Sequence, residues 1–175
     1  MKQAQNNAEI AQRFGLVARR YCSVVDSAPR MERAEFLLEI YRLLPCLVDE
    51  ATKLPDVEYD DDVESDERSA RPRVRLTEQQ STNLYHLLKE KLGDWDSYRK
   101  VFDPTSNEEA IPGSIADDVA DIYRDLKEGS VLSERHQASP ENVIFLWRFL
   151  FYSHWGKHAI DALEVLHCRL SESLT

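Results

Sequence analysis

Glycine is scarce: five in 175 residues, too few for the many tight turns that a sandwich or barrel of short strands requires. The seven prolines mostly fall where helical patterns begin or end, so the punctuation favours helices. Cysteine is equally sparse. Cys22, Cys46 and Cys168 are odd in number, far apart and without a C-x-x-C, which argues against a disulfide framework. Each has apolar neighbours at helical spacing, and the expectation is three small buried hydrophobes in a reducing compartment.

Positive charge is in deficit. Lys and Arg total 22 against 32 Asp and Glu, a formal net charge of −10. Such a chain repels phosphate backbones and anionic lipid, so neither nucleic acid nor a membrane surface is an expected partner. The basic string RPRVR at 71–75 follows an acidic run and reads as its counterweight. Long apolar runs are missing too. VIFLWRFLFY (143–152) is too short to cross a bilayer and contains Arg148. The opening MKQAQNNAEI lacks the apolar core of a secretory signal, so a cytoplasmic location is expected. No Gly-rich phosphate loop, nucleophile elbow or Cys–His dyad at an informative spacing is present.

What remains is a chain with 42% hydrophobic residues, enough for one ordinary globular core. Ala11, Phe14, Ala18, Tyr21, Cys22 and Val25 repeat at threes and fours, which predicts a helix from about Ala8 to Asp26. Ser27 and Pro29 open a second, buried through Phe36, Leu37, Ile40, Tyr41, Leu44, Leu47 and Val48, with Pro45 expected to kink or restart it. Residues 55–75 lose periodicity and read as a flexible charged loop; DDDVESDE within it lacks the glycine and distal Glu of a calcium loop. Thr77 with Gln80 forms a capping box for a third helix ended by Gly93, with Leu84, Leu87, Leu88 and Leu92 inward and His86 on a flank. DWDSYRKVFDP (94–104) predicts a short helix or strap, followed by loop. Ser114 caps a fourth helix, 115–128, ended by Gly129. Ser139-Pro140 opens a last helix reaching about Leu170, so apolar around its axis that only Asn142, Ser153, Lys157 and Glu164 read as wet. The fold class is therefore all-α: a single domain over 1–175, a bundle of five or six helices with a long, central C-terminal helix.

Two polar stripes carry the chemistry. On the fourth helix Asp118, Asp121 and Asp125 lie beside the apolar face of Ile115, Val119, Ile122 and Leu126. Asp117 is explained by its place near the helix start; Asp125, near the other end, is not. Like charges one turn apart repel, so the stripe calls for positive charge opposite. On the last helix His154, His158 and Asp161 stand at i, i+4 and i+7 in FYSHWGKHAIDALEVLH (151–167). Gly156 lies on roughly the opposite side, where close approach of another helix is expected.

Three readings follow. The plainest is a seam in which the imidazoles hydrogen-bond to the aspartates and nothing reacts, because buried polar groups are ordinarily paired. The second is a divalent metal held by His154 and His158, with Asp161 or one of Asp118, Asp121 and Asp125 completing the shell. The pattern is neither H-E-x-x-H nor a Glu-x-x-His di-iron arrangement. The third is acid–base chemistry by a histidine oriented by an aspartate. Arg148 and His154 match the loose R-x5-H spacing of HEPN-type ribonucleases, but on one continuous helix they fall on different faces, and the acidity is wrong for RNA. The aromatics Trp147, Phe149, Phe151, Tyr152 and Trp155 read as core rather than a ligand cage.

GSIADDVADIYRDLKEG (113–129), YRKVFDP (98–104) and FLFYSHWGKHAIDALEVLH (149–167) together resemble an uncharacterised bacterial family, domain of unknown function five-zero-six-three. The likeness runs from about Tyr21 to His167. It implies a bacterial, helical, cytosolic protein and no particular activity. The function expected is thus non-enzymatic, an acidic helical module acting through a protein partner or as a homodimer. The alternative is a metal-dependent or acid–base enzyme centred on the His/Asp cluster.

Overall fold

The computed structural model describes residues 2–59, 76–135 and 138–172. Within them the chain forms six α-helices and one small hairpin: α1 (Lys2–Ser27), α2 (Arg33–Thr52), α3 (Glu78–Leu92), β1 (Ser97–Lys100), β2 (Ile111–Ser114), α4 (Ile115–Glu134), α5 (Pro140–Leu150) and α6 (Gly156–Glu172). A five-residue π-turn, Phe151–Trp155, joins α5 to α6 in one rod. The architecture is a helical bundle, as composition and periodicity predict. RPRVR, DDDVESDE and all but the first residues of the expected charged loop lie outside the described residues.

Helix α4 and the α5–α6 rod form the middle. The rod touches α1, α2 and α4, while α4 touches α1, α3 and both halves of the rod. The stripe predicted on α1 is buried throughout and carries Phe14 against Trp147, ring centroids 4.8 Å apart, with Trp155 beyond. Tyr21, fully buried, satisfies its hydroxyl by donating to the carbonyl of Val119 on α4. Burying two indoles and a phenyl ring at this junction makes it a principal source of hydrophobic stabilisation.

Local signals hold at three helix starts. Thr77 and Gln80 form the reciprocal capping box, and Gly93 follows α3 with φ 57°. The Ser114 hydroxyl accepts from the amide of Asp117, and that of Ser139 from Asn142.

Several expectations are corrected. Helix α2 begins at Arg33, because Ala28–Arg30 form a separate 3-10 turn, and it runs unbroken through Pro45. Pro45 is exposed, while Leu43, Leu44 and Leu47 of the same turns are buried in the core. Residues 97–100 are a strand rather than a helical strap: they pair antiparallel with 111–114, Tyr98 opposite Gly113. Gly129 does not end α4. It lies inside it, where a Cβ would collide with the Trp147 indole nitrogen, so its missing side chain makes room for that ring. Gly156 serves the chain's own π-turn and not a neighbouring helix, since a Cβ there would collide with the Phe151 carbonyl oxygen. Asn142 is buried rather than wet, and Cys46 and Cys168 are exposed; only Cys22 is the buried hydrophobe expected. Phe149 and Tyr152 are likewise exposed rather than core. No helix among the described residues is long and apolar enough to cross a membrane.

Candidate metal centre between the fourth helix and the C-terminal rod

Helix α4 and the rod run antiparallel at the polar seam, so their stripes meet in opposite order. His154 Nδ1 hydrogen-bonds Asp125 Oδ2 at 2.7 Å, and one turn on His158 Nδ1 hydrogen-bonds Asp118 Oδ1 at 2.7 Å. Asp118 is fully buried and Asp125 nearly so. A buried carboxylate beside Nδ1 fixes the tautomer that carries its proton there, with Nδ1–H donating.

The other ring nitrogens then converge. His158 Nε2 lies 3.4 Å and His154 Nε2 3.7 Å from the same atom, Asp121 Oδ2. Neither approach is a hydrogen bond, whereas Asp121 Oδ1 is held separately by Arg124 at 2.9 Å. The three groups Asp121, His154 and His158 present ligand atoms all within 4.8 Å of one another. Two ligands about 2.0–2.1 Å from one tetrahedral zinc are about 3.3 Å apart, so these separations fit a shared ion better than direct bonds.

The hairpin closes one end. Tyr98 donates its hydroxyl to Asp118 Oδ2 at 2.6 Å, and Lys100 Nζ lies between Asp118 (3.5 Å) and Asp161 (3.1 Å). Burial, then the hydrogen bond to Asp118, pushes the Tyr98 hydroxyl far above its usual range, so it stays a donor. Burial pulls the His158 imidazolium down, but the bond and charge of Asp118 outweigh it and leave the pKa raised. Asp125 is raised by burial against the pull of His154, and Asp117 by burial and then Asp121 and Asp118. Lys100 is drawn down by burial and, more strongly, up by Asp118 and Asp161.

The seam carries an excess of negative charge. Among the described residues Asp117, Asp118, Asp121, Asp125 and Asp161 face Lys100, Arg124 and Lys157, so with neutral imidazoles these groups carry two more negative charges than positive. One divalent cation, or two protonated histidines, restores balance.

Of the six residues singled out in the sequence, Asp121, His154 and His158 are brought together as a ligand set, with Asp118 and Asp125 behind the two rings. Asp161 is not in that set. Seven residues along a helix advance about 10 Å from His154, which carries Asp161 past the aspartate row to Lys100 and to Lys157 at 3.2 Å. Arg148 and His154 are not brought together either: Arg148 pairs with Asp56 at 3.1 Å. Sequence reasoning missed Tyr98, Lys100 and Arg124. Arg124 was within reach, as the i+3 neighbour of Asp121; the other two depend on the hairpin.

No curated protein matches the chain. A solved structure of similar shape is the crystal structure of protein BF1032 from Bacteroides fragilis, a structural-genomics target, with TM-score 0.72 and 25% identity over 89% of this chain and 88% of that one. Residues 5–171, which hold the hairpin, the seam and all but the outermost ends of the first and last helices, match the family described as Domain of unknown function (DUF5063), and the chain belongs to that family.

Proposed function

We propose that this protein is a divalent-metal-binding helical domain whose ion is held by Nε2 of His154, Nε2 of His158 and Oδ2 of Asp121. The observation that carries this reading is the convergence of two imidazole nitrogens on one carboxylate oxygen, each ring locked from behind by its own aspartate. A seam of hydrogen bonds would be complete with the two Nδ1 contacts and needs no such convergence. Imidazole donors favour zinc, iron, cobalt or nickel over magnesium or calcium, and three protein ligands leave a position for water or substrate. Asp118 and Asp125 take the role of outer-shell carboxylates that orient the rings. His154, about one third exposed, lies at the open side. The role as an interaction module is supported by the acidic surface and by large apolar side chains left in water, Leu16, Leu38 and Phe149 among them; these lie apart from the seam.

The test is elemental analysis of untagged protein, followed by zinc and cobalt titration after chelation. About one equivalent of metal per chain is expected, with tetrahedral cobalt absorption and protons released on binding. Asp121→Asn and His158→Ala should lose the metal while keeping helical circular dichroism, and Asp118→Asn should weaken affinity about 10–100-fold. Metal-free protein that binds neither ion, and whose variants differ only in stability, would establish the seam as purely structural.

A further inference from the structure

A second concavity lies on the other side of Lys100, between the hairpin and α6. Strand β1 and the segment to Pro104 border, with the helix, an open cleft of about 950 Å³. That is at the upper end of the range of small-molecule sites. Its apolar wall is Phe151, Tyr152, Ile160 and Val165. Tyr152 and Ile160 leave 65% and 56% of their surface in water, and Phe102, beside Lys157, leaves 63%. A ligand with an apolar body would remove that surface from water.

The polar part of the lining runs against the charge of the chain. In a protein of net charge −10, four cations, Arg99, Lys100, Lys157 and Arg169, line this cavity. Three carboxylates accompany them, Asp161, Glu164 and Glu172, and both lysines already share Asp161. Within the lining the cations outnumber the carboxylates by one, with Asp118 behind Lys100 outside it. Phe151 and Tyr152 of the wall open the π-turn that Gly156 follows, a backbone irregularity that recurs at functional sites.

We infer that this cavity binds a small amphiphilic monocarboxylate, its aliphatic or aromatic body against Tyr152, Ile160 and Val165 and its carboxylate at Lys157 and Lys100. The cavity is separate from the metal centre, whose ligands are outside its lining.

The cysteines supply the experiment. Cys168 is exposed and lines the cavity, while Cys46 is exposed on α2 away from it. Cys22 is buried, and burial raises its thiol to about 12, so it stays silent. The full chain is alkylated with N-ethylmaleimide, with and without decanoate below its micelle concentration, and each cysteine is followed by mass spectrometry. At ten times its Kd decanoate should slow Cys168 about tenfold, because only the free fraction reacts, and leave Cys46 unchanged. Decanol should protect far less. Ile160→Glu and Lys157→Met, both partly or largely in water, should reduce protection with helical content retained. The proposal is overturned by no protection, by equal protection of Cys46, by equal protection from decanol, or by protection that follows protein concentration alone, which would make a second copy the occupant.

Discussion

His158 and Asp118 form the inner end of the seam: Nδ1 meets Oδ1 at 2.7 Å, and the carboxylate's other oxygen accepts from Tyr98 at 2.6 Å. Asp118 is fully buried, and Lys100 adds a third partner at 3.5 Å. Replacing it by alanine strands a hydroxyl, an ammonium and an imidazole together. Breaking a buried charged pair from one side costs about 3–5 kcal/mol, several times an exposed pair. Urea unfolding of Asp118→Ala should show that loss, and Asp118→Asn a smaller one, since the amide oxygen can still accept from Tyr98. A loss below about 1 kcal/mol would mean that the carboxylate is solvated.

His158 also sets a pH dependence in chelated protein. The groups facing it are Asp118, Asp121, Lys100 and the His154 ring, whose centroid is 4.9 Å away, and the two carboxylates prevail to raise its pKa in the fold. Protonated His158 therefore favours folding. That contribution is complete below the unfolded value of about 6.5 and disappears as pH rises through the higher folded value. Thermal melts from mildly acidic to mildly alkaline pH should show the midpoint falling across that window, and His158→Gln should flatten the slope. A midpoint that climbs with pH would contradict the pairing.

Gly156 connects the π-turn to the seam. A Cβ at this position would collide with the Phe151 carbonyl oxygen, which is backbone and cannot swing aside. Gly156→Ala should lower stability by about 1–3 kcal/mol despite the better helix propensity of alanine. Because His154 lies within the π-turn and His158 beyond it, the variant should also shift the two imidazoles relative to each other. NMR of the histidine ring protons would register a larger change at His154 than at His158. Wild-type stability in the variant would show that the π-turn is dispensable.

The parts of the fold legible in the sequence are those decided locally. The capping box of Thr77 and Gln80 and the caps of Ser114 and Ser139 need only three or four adjacent residues, and the stripe of α1 needs only its own periodicity; Ser27, expected to cap α2, makes no cap. The confrontation of aspartates with imidazoles is legible too, because each row flanks an apolar face that must turn inward. What escapes depends on distant chain. Gly129 reads as a stop until Trp147 fills the space beside it. The π-turn adds a residue to a helix that a wheel assumes is regular, which is why Gly156 reads as the approach of another helix. The hairpin pairs four-residue strands across a ten-residue loop, too short for alternation to emerge, although Asp103-Pro104 and Pro112-Gly113 are turn signals. With the hairpin go Tyr98 and Lys100, and hence the closed end of the site.

Pro45 offers a test in which two effects oppose each other. Its ring denies the Tyr41 carbonyl an amide partner within a helix that nevertheless runs unbroken from Arg33 to Thr52. A proline inside a helix is about 3 kcal/mol worse than alanine. Against this, proline restricts the unfolded chain, which is worth about 0.4–1 kcal/mol to the folded state. The helix penalty outweighs that restriction, and since Pro45 is exposed, alanine leaves no cavity behind. Pro45→Ala should therefore stabilise the protein by about 2 kcal/mol, the difference between the two effects. Urea unfolding would read this as a higher midpoint with an unchanged slope. A lower midpoint would show that α2 needs a bend at Pro45 to seat Leu44 and Leu47 in the core.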